Sequence, residues 1–152
     1  MNVNLHLRAV PPPALRNSAT WLRKLFDGDH GPARDQRHVL GRPGPDHQIL
    51  YTDTVLGDQA VLGGGQVCAA GPQEPPFLLL TAAQTARVAT FLATADFDAL
   101  WRPARAELLP RYGGPGEEPR TRAAFAEAHH ELAAFYRTTA LHRDAVVKWL
   151  MP

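Results

Sequence analysis

The longest amphipathic segment of the chain, opened by Thr121 and running over about 122–142, sets most of what the chain can fold into. Phe125, Ala128, Leu132, Phe135, Tyr136 and Thr139 recur along it at helical spacing, so one face of this helix needs a broad apolar surface to lie on. The two ends of the chain supply that surface. Val3, Leu5 and Leu7 alternate with Asn4, His6 and Arg8, the period of a strand with one buried face. Val146-Val147-Lys148-Trp149-Leu150-Met151 is short, apolar and rich in strand formers, and is expected to pair with residues 3–8.

The stretches between are read more coarsely. Pro11-Pro12-Pro13 ends the first strand, and the stripe Leu15, Ala19, Leu22, Phe26 predicts a helix over 13–26 with Ser18 inside it. Asp27 to Asp46 is polar and broken by glycine and proline, and is expected to be a long loop or a partly mobile segment. Residues 48–62 suit a short helix or strands equally; Gly63-Gly64-Gly65 reads as a turn, with Val67-Cys68-Ala69 a short strand beside it. Thr81-Ala82-Ala83-Gln84 has the form of a capping box, which opens a helix over 82–95. Asp96 is placed to cap a short helix from Phe97 to Trp101, resuming after Pro103, and 112–119 is a Gly/Pro loop. A chain of 152 residues with these parts predicts one α+β domain over 1–152: a small sheet containing both terminal strands, with about four helices against one face.

Charge narrows the partners. Sixteen Lys and Arg against fifteen Asp and Glu leave a net charge of +1, too even to draw the chain to nucleic acid or an anionic membrane. The arginines are scattered; the nearest thing to a patch is Arg102 and Arg105 with Arg120 and Arg122, expected to be a solvated surface. No stretch approaches the ~20 apolar residues of a membrane span, and the N-terminus has no long apolar signal region. Cys68 is the single cysteine, which excludes an internal disulfide and fits a reducing cytoplasm. Its apolar surroundings, Gln66-Val67-Cys68-Ala69-Ala70, predict a buried, inert thiol.

Motifs exclude more chemistry than they supply. His129 and His130 are adjacent, so on a helix they point about 100° apart and cannot easily hold one ion. No metal site is therefore expected; one of the two packs at the core edge and the other faces solvent. The triple glycine lacks the Lys and Ser/Thr of a phosphate loop. Ser18 is the only serine and lies in no nucleophile elbow. Glu127 and Glu131 share a helix face, as a solvated pair. Nothing calls for a cofactor. Trp101, beside Arg102 and Pro103, is the tryptophan best placed for a ligand or partner.

The order of parts also carries a resemblance. A strand, a helix and a variable middle are followed by Val61-Leu62-Gly63-Gly64-Gly65. The segment Phe77-Leu78-Leu79-Leu80-Thr81-Ala82-Ala83-Gln84 comes next. Then Phe125-Ala126-Glu127-Ala128-His129-His130-Glu131-Leu132 runs toward Val146-Val147-Lys148-Trp149-Leu150. The chain thus resembles the YfbM-like family of small bacterial proteins, whose domain is of unknown function. That resemblance implies the α+β fold and supplies no catalytic residues. Members carry a Lys-Ala-Trp…Leu-His helix ahead of the Gly-Gly element; here the place reads Asp46-His47-Gln48-Ile49-Leu50-Tyr51-Thr52-Asp53, without the Trp and Lys.

Two functional expectations follow. The first is a non-catalytic binding or accessory protein of a bacterial cytoplasm, with a protein, peptide or small-molecule partner. The alternative is a small enzyme or ligand-binding protein with a pocket between the sheet and the long helix. Its polar groups would be His6 and Arg8 from the first strand, Tyr51, and His129, His130 and Tyr136 from the helix. Convergence of at least three of these in one pocket separates the two.

Overall fold

The computed structural model describes residues 3–27, 36–41, 44–52, 54–69, 71 and 73–151. Gly28, Asp29, Gly31, Pro32, Arg34, Arg42, Pro43, Asp53 and Ala70, which entered the loop and segment readings, lie outside the described residues.

Both ends of the chain enter one sheet. Strand β1 (Asn4–Val10) pairs antiparallel with β5 (Ala145–Met151), Leu5 opposite Leu150 and Leu7 opposite Lys148. The other strands are β2 (Arg37–Leu40), β3 (Gly65–Val67) and β4 (Phe77–Leu80), and the spatial order is β2-β1-β5-β4-β3 with every pairing antiparallel. The α+β fold with its two terminal strands in the sheet is thus as expected, and β5 lies at the centre.

Six α-helices occur among the described residues: α1 (Ala19–Phe26), α2 (His47–Leu50), α3 (Val55–Ala60), α4 (Ala82–Thr94), α5 (Phe97–Leu108) and α6 (Glu118–Leu141). Two more than expected arise in the ambiguous stretch 48–62, which folds as the short helices α2 and α3. The capping box of α4 is formed: Gln84 N donates to Thr81 Oγ1 at 3.1 Å, and Thr81 N to Gln84 Oε1 at 2.9 Å.

Several boundaries differ from the expectation. The 13–26 helix is divided: Pro12–Arg16 forms a 3-10 turn, Asn17 is extended, and Ser18 is not inside a helix but caps α1, accepting from Trp21 N at 3.2 Å. A serine at that point offers the first turn a better acceptor than the helix interior would use. The presumed loop to Asp46 contains β2, whose four residues are too few to show alternation amid glycine and proline. The strand near Cys68 is Gly65–Val67, two residues earlier than expected. Helix α5 runs through Pro103 unbroken. Only the carbonyl of Ala99 loses its N–H donor, and burial of Trp101, Ala104 and Leu108 offsets that loss. Helix α6 begins at Glu118, not near 122, because Pro119 fits a first turn that needs no N–H.

The helices do not all lie on one face. Leu5, Leu7, Leu40, Leu80 and Val146 pack with Val88, Leu92, Phe125, Leu132 and Tyr136 on one side of the sheet. Val10, Phe77, Val147 and Trp149 pack with Leu22 and Leu25 of α1 on the other. A strand covered on both sides carries information on both of its alternating sets, so polar residues in β1 could not be assigned to solvent by period alone. Cys68 is exposed, not buried: it lies just beyond the edge strand β3.

Gly64, in the turn before β3, has a φ of +125°, and a Cβ there would meet the Leu79 carbonyl at 2.6 Å. Glycine is needed at this position so that β3 can lie against β4.

Candidate functional site

Of the seven candidate residues, the fold hydrogen-bonds two to each other, with the ring of a third, His130, 5.6 Å from that of His129. Tyr51 follows α2 and His129 lies mid-way along α6; the Tyr51 hydroxyl and His129 Nδ1 are 2.6 Å apart and buried. Burial pulls the His129 imidazole down to about 4, with His130 beside it acting the same way. Burial pushes the Tyr51 hydroxyl upward. At neutral pH both groups are uncharged, so Tyr51 donates and Nδ1 accepts, leaving the imidazole proton on Nε2. The rings of Phe97 and Phe91 complete the surroundings, at 5.8 Å from His129 and 6.4 Å from Tyr51.

The other candidates are placed elsewhere. His130 is exposed, as the 100° argument requires. Tyr136 donates its hydroxyl to the carbonyl of Ala60 at 2.8 Å, tying α6 to the end of α3. Trp101 is buried and its Nε1 donates to Glu118 Oε2 at 3.0 Å, so it is a core anchor and not an exposed contact. Glu118 also accepts from Arg105 Nε at 2.7 Å, and these bonds, Arg105 foremost, hold its carboxyl down at about 2. His6 and Arg8 project from the β1 face turned toward α1, away from the long helix. Arg8 Nη1 donates to the carbonyl of Leu25 at 2.8 Å, in the last turn of α1, where a cation complements the helix dipole. His6, lowered by partial burial, stands opposite Trp149 and Val39 in the ladder.

Some groups escaped the sequence reading. Lys148 in the central strand is wholly buried on the α6 side. Its Nζ donates to the carbonyl of Gly63 at 2.8 Å and to that of Gln59, closing the end of α3. Burial lowers this ammonium to about 7, against the opposing attraction of Asp58. The only signal was a lone charge inside an apolar strand. Asp46 is a second case: it accepts from Tyr112 at 2.5 Å and from Arg111 at 3.0 Å, across a separation no local pattern could reveal. The Arg102/105/120/122 region contains acid pairs: Arg105 with Glu118, Arg120 with Glu117, and Arg122 with Asp98.

Three cavities open near these groups. The first, about 300 Å³, lies between β2 and α6 and is lined by Leu40, Gly41, His47, Glu127, Ala128 and Glu131. The second, about 410 Å³, lies between the α2 region and α5. The third, about 510 Å³, has Tyr51 in its wall together with Gln48, Thr54 and Asp58. None of these gathers three of the seven candidates. Among the described residues no three His, Cys, Asp or Glu side chains come together as a metal site. Among the same residues, no helix is long and apolar enough to cross a membrane.

An α+β architecture with an all-antiparallel sheet of order β2-β1-β5-β4-β3 is the class this chain falls into. It is the fold of YfbM, a protein of unknown function from Escherichia coli. That crystal structure matches with a TM-score of 0.63 and 13% identity, covering 98% of this chain and 99% of the other. At that identity the likeness is one of fold, and it bears out the YfbM-like resemblance at that level. No family model matches the chain, and no curated protein matches it.

Proposed function

We propose that the protein is a non-catalytic binding or accessory protein of a bacterial cytoplasm, holding an extended segment of a partner protein in the groove between β2 and α6. One observation carries the reading: the groups with chemical potential are spent on the fold's own bonds, while Glu127 and Glu131 stand exposed along an open groove. Tyr51 is bonded to His129, Tyr136 to Ala60, Trp101 to Glu118 and Arg8 to Leu25. The two carboxylates on the groove wall complement a basic residue on the bound segment. An exposed Cys68 fits a reducing compartment, since an accessible lone thiol persists there. Similarity to an Escherichia coli protein supports a bacterial setting.

The alternative, a small enzyme with a His/Arg/Tyr pocket under the long helix, loses two of its groups because His6 and Arg8 face α1. A His129 imidazole near 4 is also a weak base at neutral pH. The test is affinity capture from the native host with the wild-type chain and with Glu127→Lys/Glu131→Lys. A stoichiometric partner held by the wild type and released by the double variant supports the groove. A partner held equally by both removes it from the interface, and turnover by the purified protein that survives the double variant overturns the non-catalytic reading.

A further inference from the structure

Among the described residues, the cavity beside α5 offers a ligand only hydrogen-bond acceptors. Its volume of about 410 Å³ lies within the roughly 300–1,000 Å³ of small-molecule sites. Ile49, Leu50, Leu100 and Ala104 give it apolar walls. Its hydroxyls have already given their protons away: Thr52 donates to the carbonyl of Ile49 at 2.8 Å, and Thr54 to that of Tyr51 at 3.0 Å. Both therefore turn only lone pairs outward, and one of those on Thr54 is taken by Gly57 N at 3.2 Å.

Helix α5 adds a further acceptor on the same wall, to which Ala99 and Pro103 also belong. One turn beyond Pro103, Glu107 brings a carboxylate to the same wall. Its neighbour Arg111 reaches it only at 3.5 Å, while holding Asp46 more closely at 3.0 Å. A site of this composition selects a donor with an apolar body. A carboxylate head brings only acceptors and a hydroxyl brings one neutral donor, whereas an ammonium brings three donors and a charge that Glu107 complements.

We propose that this cavity binds a small protonated aliphatic amine. The ammonium sits against the Glu107 carboxylate, and the alkyl chain lies on Ile49, Leu50 and Leu100. The same head group occurs on free alkylamines and on lysine side chains, and the experiment separates them. This site is distinct from the β2–α6 groove and stands or falls without it.

Chemical-shift titration of the ¹⁵N-labelled protein at neutral pH tests it, with n-pentylamine, 1-pentanol and Nα-acetyl-lysine methylamide as probes. Saturable shifts confined to residues around Thr52, Thr54, Ala99 and Ala104 are expected with the amine and not with the alcohol. Tighter binding of pentylamine assigns the site to a free amine, and tighter binding of the lysine derivative to a polypeptide side chain. Glu107→Gln is expected to weaken the amine at least tenfold. Equal binding of amine and alcohol, an amine affinity unchanged in Glu107→Gln, or no saturable shift in this region overturns the proposal. A thermal melt of the variant separates lost binding from lost fold.

Discussion

At the scale of single residues, the Tyr51–His129 bond has a consequence in acid. In the folded chain His129 titrates near 4, whereas an unfolded histidine titrates near 6.5. Below about 6.5 the unfolded chain takes up a proton that the folded chain refuses, so stability falls as pH drops from about 6.5 toward 4, and the contribution of His129 is constant above that range. Unfolding free energies from urea melts across this interval are expected to fall by on the order of 2 kcal/mol in the wild type. In His129→Gln, which keeps an acceptor for Tyr51 without the titration, they are expected to fall far less. Lys148 has the opposite window. Its folded value near 7 lies below the unfolded 10.5, so the unfolded chain holds more protons between those values and stability rises as pH climbs from 7 toward 10.5. Lys148→Met removes that rise, as denaturation at pH 7 and pH 9.5 would measure. The two adjacent histidines were legible in the sequence because helix geometry alone separates them. Lys148 was not, because nothing local says that a strand lies between two layers. Cys68 was misread for the converse reason: its neighbours are apolar, but the strand before it is an edge. Its thiol is expected to react with a thiol-exchange reagent in the native protein as fast as in urea; protection of tenfold or more contradicts its exposure.

At the scale of elements, local chemistry was legible wherever one side chain completes one backbone group. The Thr81–Gln84 box and the Asp96 cap, which accepts from Asp98 N at 3.1 Å, both form as the sequence implies. Thr81→Ala is expected to cost about 1 kcal/mol, read from the urea midpoint. A smaller loss in Gln84→Ala would reflect retention of the Thr81 acceptor. Proline carried less information. Pro119 starts a helix, Pro103 rides inside one, and Pro12 to Arg16 closes a separate 3-10 turn. The residue is the same, and the outcome depends on what the neighbouring side chains bury. Helices α2 and α3 were illegible as helices because six residues or fewer show barely one period.

At the scale of the whole molecule, the fold class could be read because its two terminal strands announce themselves by composition and period. Their neighbours could not. The short strands β2 and β3 flank the sheet without a pattern of their own, and only the ladder shows that α1 covers the second face. The candidate site suffered most from this, since the face to which His6 and Arg8 belong follows from the layers and not from the strand. The central position of β5 predicts unequal tolerance. Val147→Pro interrupts ladders on both sides and is expected to abolish cooperative unfolding by circular dichroism. Gln66→Pro on the edge strand is expected to lower the midpoint only modestly.

Because β5 is the shared neighbour of β1 and β4, the two halves of the sheet share no ladder among the described residues until residues 145–151 exist. On the ribosome, therefore, the growing polypeptide cannot close its β-layer early. Leu5, Leu7 and Leu80 stay available to chaperones until the final strand of the sheet clears the exit tunnel. The time the ribosome takes to pass residues 145–151 thus controls how long the nascent chain waits half-assembled.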